Sequence, residues 1–319
     1  MAYELTFKKN LANKANYGSS RDVSKIKYLV IHYTTNDGDT DENNGKYFAN
    51  NVVKASAHYF VDDDSVTISV PDNYVAWAVG GNKYNNGGGR LYGTATNSNT
   101  LSIEICDDVK NGVVYPSQAT IDNVIILAKI KMVEYGLDKA HVIRHYDVNG
   151  KPCPKYWVEE AKWKNEFWNK LTGWVLYNNK WYWLDDNGNV IKSTWKQIDG
   201  FWYYFDEKGC AICNAWKQLK SVWYYFDKDC KAVTEWQKLS YNGSTSWYYF
   251  DPTNCSMYSS KWVTSNGKDY YLEKSGVMAT YCYVKSTSKN MYYWINKDGV
   301  YESQWDTATP DLTKYKVVV

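Results

Sequence analysis

Tryptophan recurs at a nearly constant interval through the second half of this chain. Trp174, Trp195, Trp216 and Trp236 lie 21, 21 and 20 residues apart. Each of the first three is followed seven residues later by another tryptophan, which opens an aromatic run such as the Trp-Tyr-Tyr-Phe of 202–205. A period of this length predicts one supersecondary unit per repeat, and the Asn, Asp and Gly residues after each run are typical of hairpin turns. Because one hairpin cannot bury both faces alone, the pattern predicts an all-β solenoid of stacked hairpins.

The repeats divide the chain into two parts. Twelve of the 16 tryptophans follow Leu171, so we predict one domain over residues 1–172 and a repeat domain over residues 173–319. The 37 Lys and Arg residues nearly balance the 35 Asp and Glu residues, which argues against nucleic acid as a partner. A mean hydropathy of −0.59 predicts a chain without a membrane span.

The N-terminal residues lack the apolar run and the small-residue cleavage site of a secretory signal peptide. We therefore expect synthesis in the cytoplasm without Sec export. Seven cysteines, an odd number in a long chain, fit a reducing compartment. The spacing Cys210-x-x-Cys213 resembles half of a zinc ribbon, but no second pair follows. We therefore interpret the cysteines of the repeats as small buried hydrophobic residues: Cys210, Cys213, Cys230, Cys255 and Cys282.

Three short stretches of the first domain carry residues suited to a metal site. An apolar run predicts a central strand over 27–33 with His32 near its end, and helical periodicity predicts a helix over 118–135. After that helix come His145 and, beyond a loop rich in Gly and Pro, Cys153. Two imidazoles and one thiolate suit tetrahedral zinc with one open position, which is the arrangement of a catalytic site. His32 alone could equally be a hydrogen-bonded core residue.

The stretches around His32 and His145, together with Lys151-Pro152-Cys153, resemble those of the zinc-dependent N-acetylmuramoyl-L-alanine amidases, a family that includes the peptidoglycan recognition proteins. The similarity extends over roughly residues 20–172. It implies an α/β domain with a mixed sheet and peptidoglycan as the substrate. It also implies a Zn²⁺ ion held by His32, His145 and Cys153, with Lys151 stabilising the oxyanion.

The resemblance further implies a proton-handling group beside the metal. In one branch of the family a Glu at the end of a strand does this work, and residues 99–105 resemble that stretch, which makes Glu104 the candidate base. Another branch uses a Tyr directly before a His, but Ala57 precedes His58 here. Glu104 could instead be an ordinary surface carboxylate. His58 lies where relatives line the substrate groove, and substrate contact and structural packing are both open for it.

The repeats resemble the choline-binding repeats of bacterial cell-wall lysins and surface proteins. The resemblance implies cages for a quaternary ammonium, each built from two Trp of one repeat and an aromatic residue of the next, which attract the cation through their ring faces. Three cages are predicted: Trp174, Trp181 and Tyr204; Trp195, Trp202 and Tyr225; and Trp216, Trp223 and Tyr249. The implied ligand is choline or choline-bearing teichoic acid. Glucan binding, structural packing and a homodimer through the repeats are the alternatives.

Together the two resemblances predict a peptidoglycan hydrolase that cleaves the amide between the lactyl group of N-acetylmuramic acid and L-alanine, targeted to the wall by its repeats. Such a chain resembles a phage endolysin that reaches the bacterial wall through a holin or by lysis, and an autolysin with unconventional export would have the same features. The alternatives are a non-catalytic wall-binding protein and a zinc endopeptidase with glucan-binding repeats.

Overall fold

The computed structural model describes residues 4–36, 38–110 and 113–319. The chain divides into two compact units, one made of Met1–Lys192 and Glu207–Cys210 and the other of Ser193–Asp206 and Ala211–Val319. Among the described residues, no helix is both long enough and apolar enough to cross a membrane.

The first unit is built from twelve strands and four α-helices among the described residues. Its strands are β1 (Phe7–Lys9), β2 (Tyr17–Ser20), β3 (Tyr28–Tyr33), β4 (Tyr59–Val61), β5 (Val66–Ile68), β6 (Tyr74–Ala76), β7 (Thr100–Ile105), β8 (Asp108–Lys110), β9 (Val113–Tyr115), β10 (Val142–Arg144), β11 (Gly173–Tyr177) and β12 (Lys180–Leu184). Its α-helices are α1 (Asp41–Asn50), α2 (Gln118–Tyr135), α3 (His145–Asn149) and α4 (Glu160–Glu166). Short 3-10 turns lie at Lys14–Asn16, Val23–Lys25, Asn97–Asn99, Lys139–His141, Lys155–Trp157 and Trp168–Lys170.

Six of these strands form the main sheet, in the order β1-β5-β4-β7-β3-β10. Neighbours in this sheet are parallel except for β4 and β5, which are antiparallel. The central strands β3 and β7 are almost wholly buried, and Leu29, Val30 and Ile31 of β3 form the apolar run that such a position favours. The predicted α/β domain with a mixed sheet is confirmed.

Helix α2 contributes a large part of the core, and local sequence sets its ends. The N–H of Thr120 donates to the hydroxyl of Ser117 at 3.1 Å, which caps the first turn. Gly136 follows the helix in the left-handed conformation, with φ of 64°, and ends it. The buried residues Val124 and Met132 of α2 belong to the main hydrophobic cluster of the first unit.

The first repeat hairpin, β11–β12, is part of this same core. Val175 is 4% exposed and Leu184 is 0% exposed, and both belong to the hydrophobic cluster that contains α2. In the turn after β12, a Cβ added to Gly188 would stand 2.6 Å from side-chain atoms of both Met132 and Lys139. The first repeat is therefore an integral piece of the compact first unit. The predicted boundary between the sequence domains, at 172/173, stays a prediction.

The second unit is a succession of antiparallel hairpins. Its strands are β13 (Thr194–Ile198), β14 (Phe201–Phe205), β15 (Ala215–Leu219), β16 (Val222–Phe226), β17 (Glu235–Tyr241), β18 (Ser244–Phe250), β19 (Lys261–Ser265), β20 (Lys268–Leu272), β21 (Cys282–Lys285), β22 (Tyr292–Ile295) and β23 (Lys316–Val318), with a 3-10 turn at Ser303–Trp305. The strands from β13 to β22 pair two by two, as β13–β14, β15–β16, β17–β18, β19–β20 and β21–β22, and β23 adds to β21 in parallel. The predicted all-β array of hairpin repeats is confirmed.

Successive repeats meet at a turn. After each hairpin the chain makes a tight turn and then one bridge residue pairs back to the second strand; these bridge residues include Ala211, Ala232, Met257, Met278 and Tyr301. The residue two positions before the bridge residue has a positive φ, as at Cys230 (64°), Cys255 (61°), Gly276 (84°) and Gly299 (81°). Met257 lies against Gly276 and Met278 against Gly299, whereas Ala232 packs with Cys255. The turn residue of one repeat thus contacts the bridge residue of the repeat before it.

One disulfide bond closes a repeat of the second unit. Cys213 and Cys230 are joined across a sequence separation of 17 residues that encloses the hairpin β15–β16. The interpretation of the repeat cysteines as reduced, buried residues is wrong for this pair. It describes Cys210, Cys255 and Cys282, which are buried and take part in no disulfide bond among the described residues.

Candidate metal centre and aromatic cages

Three ligand-type side chains meet at the carboxyl ends of two neighbouring strands. His32 lies near the end of β3, His145 follows β10 directly, and Cys153 lies in the loop after α3. Because β3 and β10 are adjacent and parallel, both imidazoles emerge at the same edge of the sheet. The three residues are 1%, 3% and 2% exposed, and their donor atoms lie within 4.8 Å of one another. The structure therefore brings together the three residues that the sequence predicts as metal ligands.

The donor atoms of this triad fit a tetrahedral zinc ion. Sγ of Cys153 lies 3.9 Å from Nδ1 of His32, near the roughly 3.6 Å that separates sulfur and nitrogen ligands of one zinc ion. Nε2 of His32 and both ring nitrogens of His145 are buried without a hydrogen-bond partner among the described residues. Burying polar atoms without a partner costs free energy, and a metal ion bound to them would offset that cost. The triad therefore has the chemistry of a metal site.

The surroundings of the triad favour imidazoles in the neutral form that binds metals. Burial, followed by the charges of His145 and Lys151, lowers the pKa of His32 well below its ordinary value. Burial and the charge of Lys151 lower the pKa of His145 to about 4. Burial raises the pKa of the Cys153 thiol, so a bound cation is the group that would favour its thiolate.

Glu104 lies beside the triad on the neighbouring strand β7. The register of β3 and β7 places it opposite His32, and its Oε1 is 3.9 Å from Nδ1 of that residue. Its Oε2 is buried without a partner among the described residues. Burial raises the pKa of Glu104 to about 8, although the charge of Lys151 opposes this shift. A carboxylate with a pKa near neutrality beside metal ligands is suited to taking up and returning a proton.

Helix α3 is fixed by residues that our sequence analysis did not single out. The guanidinium of Arg144 donates to both carboxylate oxygens of Asp147 at 2.9 Å, and Asp147 also accepts the Arg144 N–H at 2.9 Å. At the other end, the amide of Asn149 donates to a backbone carbonyl of the loop before β7 at 3.1 Å and accepts the Lys151 N–H at 2.9 Å. These contacts hold both ends of the segment from His145 to Lys151. The Arg and Asp three residues apart at a helix start are the signal that could have found this support.

His58 does not line a groove. It is 0% exposed, its Nδ1 accepts the Ser102 N–H at 3.0 Å, and its Nε2 lies 3.1 Å from the carbonyl oxygen of Tyr74. Burial, followed by the charge of Arg21, lowers the pKa of His58 to about 3. The side chain is inaccessible to a substrate, and the structural alternative describes it.

The repeat tryptophans form nearly perpendicular pairs. In the second unit the ring centroids of each pair are 6.3 to 6.4 Å apart and the planes meet at 83 to 87°: Trp195 with Trp202, Trp216 with Trp223, and Trp236 with Trp247. In the first unit Trp174 and Trp181 form a similar pair at 5.8 Å and 80°. Two perpendicular rings that share a cation about 4.5 Å from each centroid stand about 6.4 Å apart. The pairs therefore have the geometry of two walls of a cation cage.

The next repeat contributes a tyrosine to the pairs at Trp195 and Trp216. Tyr224 lies 4.9 Å from Trp195, and Tyr248 lies 4.8 Å from Trp216. Both tyrosines directly follow the second tryptophan of their own repeat, and Tyr203 has the corresponding sequence position in the repeat of β14.

The third walls that the sequence predicted lie elsewhere. Each of those tyrosines packs at 5.1 to 5.4 Å against the first tryptophan of its own hairpin, to which the strand register pairs it: Tyr204 with Trp195, Tyr225 with Trp216, and Tyr249 with Trp236. The third wall at the Trp195 pair is therefore Tyr224 rather than Tyr225, and that at the Trp216 pair is Tyr248 rather than Tyr249. Tyr204 packs against Trp195 of its own hairpin, contrary to the assignment to the preceding repeat.

Both parts of the chain match families of known proteins. Residues 22–156 match the family model described as N-acetylmuramoyl-L-alanine amidase. Residues 213–262 match a choline-binding repeat, and residues 172–190, 193–209 and 260–278 match a cell wall binding repeat. The chain therefore carries a domain of the N-acetylmuramoyl-L-alanine amidase family together with choline-binding repeats, as the two resemblances predicted.

Individual relatives cover only parts of the chain. The N-acetylmuramoyl-L-alanine amidase CwlA of Bacillus subtilis is 33% identical over 156 residues, which are 49% of this chain and 53% of that protein. A solved structure of a mutant endolysin from Bacillus subtilis is 25% identical, with a TM-score of 0.41, and covers 51% of this chain and 97% of its own. Choline binding protein F from Streptococcus pneumoniae is 32% identical, with a TM-score of 0.33, and covers 41% of this chain and 40% of its own. The chain spans about half the length of the curated relatives it matches.

Proposed function

We propose that this protein hydrolyses the amide between the lactyl group of N-acetylmuramic acid and L-alanine in peptidoglycan, with a Zn²⁺ ion held by His32, His145 and Cys153. The observation that carries the proposal is the buried triad of donor atoms next to Glu104, in which Nε2 of His32 and both ring nitrogens of His145 have no hydrogen-bond partner among the described residues. The triad lies in the part of the chain that matches the N-acetylmuramoyl-L-alanine amidase family. Three protein ligands leave one position open for water or substrate, as catalysis requires.

Residues around the triad supply the remaining chemistry. A zinc ion held by His32, His145 and Cys153 would supply Lewis acidity for activating water and polarising the carbonyl of the scissile amide. Glu104 is within 3.9 Å of a ligand nitrogen, so it can take the proton of the attacking water and return it to the leaving amine. Lys151 follows α3, and its positive charge can stabilise the oxyanion of the tetrahedral intermediate. Arg144, Asp147 and Asn149 hold α3 and thereby orient His145 and Lys151.

The repeats bring this site to the wall. We propose that their tryptophan pairs bind choline groups, including those of choline-bearing teichoic acid, because perpendicular ring faces about 6.4 Å apart suit a quaternary ammonium. Several weak sites on one chain gain avidity on a polymer that repeats its ligand. The protein would then act at the bacterial cell wall after release by a holin or by lysis, and a homodimer formed through the repeats would multiply the sites.

Digestion of purified peptidoglycan with and without a chelator tests the catalytic proposal. Mass analysis should show free lactyl groups together with intact stem peptides, and the release should stop when the metal is removed. Cuts within the stem peptide would instead indicate an endopeptidase. The absence of any chelator-sensitive release of products would refute the proposal that the protein is a zinc enzyme.

The Glu104→Gln variant tests the assigned base. We expect turnover to fall by at least about 100-fold, the scale of a lost general base, while zinc content measured by atomic absorption stays at that of the wild type. Glu42→Gln is the matched control, because Glu42 lies on α1 in an exposed ion pair with Lys8. Near-normal turnover of Glu104→Gln would remove Glu104 from this role.

Retention on an amine-bearing resin tests the repeats. Elution by choline, but not by sodium chloride at the same ionic strength, would indicate cation–π caging. Elution by salt alone would indicate ion exchange, and elution by a glucan oligosaccharide would favour sugar stacking.

A further inference from the structure

One hairpin of the second unit is longer than its neighbours. From Trp236 to Trp247 there are eleven positions, whereas the corresponding tryptophans of the preceding repeats are seven apart. The extra residues add two cross-strand pairs, Ser240 with Thr245 and Tyr241 with Ser244, before the turn of β17–β18. Two more residues per strand lengthen this hairpin by about 7 Å.

The extension reaches back to the tryptophan pair of the repeat before it. The ring of Tyr241 lies 5.9 Å from Trp216 and 6.0 Å from Trp223, with interplanar angles of 71° and 68°. The indole N–H of Trp216 donates to the carbonyl of Ser240 at 3.2 Å, which holds the extension in place. Tyr248 of the same extended hairpin also packs against Trp216, with ring centroids 4.8 Å apart and an interplanar angle of 66°.

We propose that Trp216, Trp223, Tyr248 and Tyr241 form a four-walled cation cage, and that Tyr241 makes this cage the tightest quaternary-ammonium site of the array. The proposal rests on choline binding by the repeats and deepens it. The three-ring cage at Trp195, Trp202 and Tyr224 is the reference, because its next hairpin, β15–β16, has the ordinary length and no residue equivalent to Tyr241.

The geometry supports a site rather than a packed cluster. Trp216, Trp223 and Tyr241 are mutually separated by 5.9 to 6.3 Å and inclined at 68 to 83°, so three ring faces can be directed at one central cation. Tyr241 is 43% exposed, which leaves the cage open to a ligand. The disulfide between Cys213 and Cys230 encloses the hairpin that carries both tryptophans, so two walls are held before a ligand arrives.

The chemistry of four ring faces defines the ligand class. A trimethylammonium group cannot donate strong hydrogen bonds and is recognised by ring faces through its charge and its methyl surface. A primary ammonium keeps its hydration more strongly and would lose it in such a cage. The cage should therefore prefer choline and tetramethylammonium to ethanolamine, and should discriminate against the uncharged analogue 3,3-dimethylbutanol.

Calorimetric titration of the full chain with choline chloride, at constant ionic strength, tests the proposal. In the wild type we expect more than one class of site. The Tyr241→Ala variant should weaken the tightest class by about 2-fold to 30-fold, the range that one cation–π wall contributes. Tyr241→Phe, which keeps the ring, should stay within about 2-fold of the wild type.

Two further variants sharpen the test. Deleting residues 240, 241, 244 and 245 restores an ordinary hairpin and should match Tyr241→Ala. Tyr92→Ala, which removes another exposed tyrosine (48%) from the first unit, should leave choline binding unchanged.

Unchanged or tighter binding by Tyr241→Ala would overturn the proposal, and tighter binding would show that the Tyr241 ring fills the cage. Binding of 3,3-dimethylbutanol as tight as that of choline would overturn it as well, since the cage would then not recognise charge. If the wild type shows no saturable binding of choline, the proposed function of the repeats fails together with this inference. If the wild type binds and Tyr241→Ala binds equally well, only the inference fails.

Discussion

Truncating Leu184 should destabilise the first unit even though this residue belongs to a repeat hairpin. Leu184 is 0% exposed and shares a hydrophobic cluster with Val175 and the buried residues of α2. Leu→Ala substitutions at such sites cost about 2 to 5 kcal/mol, because the lost transfer free energy and the cavity add. The tight contact of Gly188 with α2 leaves little freedom for the hairpin to collapse into the space. We therefore expect Leu184→Ala to lower the free energy of unfolding of the first unit by about 3 kcal/mol.

Hydrogen–deuterium exchange of the α2 segment, residues 118–135, measures this change directly. The slowest amides of a core helix exchange only when the whole unit unfolds. A loss of 3 kcal/mol should therefore accelerate their exchange by roughly 150-fold.

Phe226→Ala is the matched control. Phe226 ends β16 as Leu184 ends β12, and it is likewise 0% exposed, but it lies in the second unit. This variant should accelerate exchange in β16 and leave α2 unchanged. If Leu184→Ala leaves the slowest α2 amides unaffected, or if Phe226→Ala accelerates them equally, the first repeat is not an energetic part of the first unit.

Two further predictions concern redox state and pH. Reduction of the Cys213–Cys230 disulfide should lower the free energy of unfolding of the second unit, measured by urea denaturation, by about 3 kcal/mol, the loop-closure contribution of a bond across 17 residues. The Cys213→Ser/Cys230→Ser variant should be insensitive to reductant, whereas Cys255→Ser should respond like the wild type. A wild-type stability that does not change with reductant would refute this prediction. Burial and the charge of Arg21 lower the pKa of His58 to about 3 in the folded chain, whereas a histidine of the unfolded chain has a pKa of about 6.5. As the pH falls below about 6.5, the unfolded chain therefore takes up a proton at His58 that the folded chain does not, and the free energy of unfolding decreases. Between pH 7 and 4.5 the first unit should lose about 2 to 3 kcal/mol through this group, and His58→Gln should flatten that slope in urea titrations; an equal slope in the variant would contradict the assignment.

The parts of the fold that local sequence determines could be predicted. The apolar run of β3 indicated a buried central strand, and Ser117 and Gly136 mark the ends of α2 because capping depends on residues at the ends themselves. His32 and His145 lie at the ends of neighbouring strands and therefore at the same edge of the main sheet. The short sequence stretches around His32, His145 and Cys153 were thus enough to predict the triad, whose donor atoms lie within 4.8 Å of one another.

Features that depend on stacking or on distant residues could not be predicted. Period-two alternation separates Tyr224 from Tyr225 but cannot say which of the two faces the preceding hairpin, and this choice fixes the third wall of the cage. His58 is buried by contacts with Tyr74 and Ser102, 16 and 44 residues away along the chain. The pairing of Cys213 with Cys230 follows from where the turn after β16 ends, which spacing alone does not define.

The turns between repeats also set the order in which repeats can follow one another. Where the preceding bridge residue is a large Met, as at Met257 and Met278, the turn residue that meets it is glycine. Where the preceding bridge residue is Ala232, the turn residue is the larger Cys255. Because the two volumes compensate, exchanging these repeats would create a clash at one junction and a void at the other. The repeats look interchangeable in sequence, yet each accepts only a successor of complementary size, so the array can be lengthened or shuffled only at junctions that preserve this match.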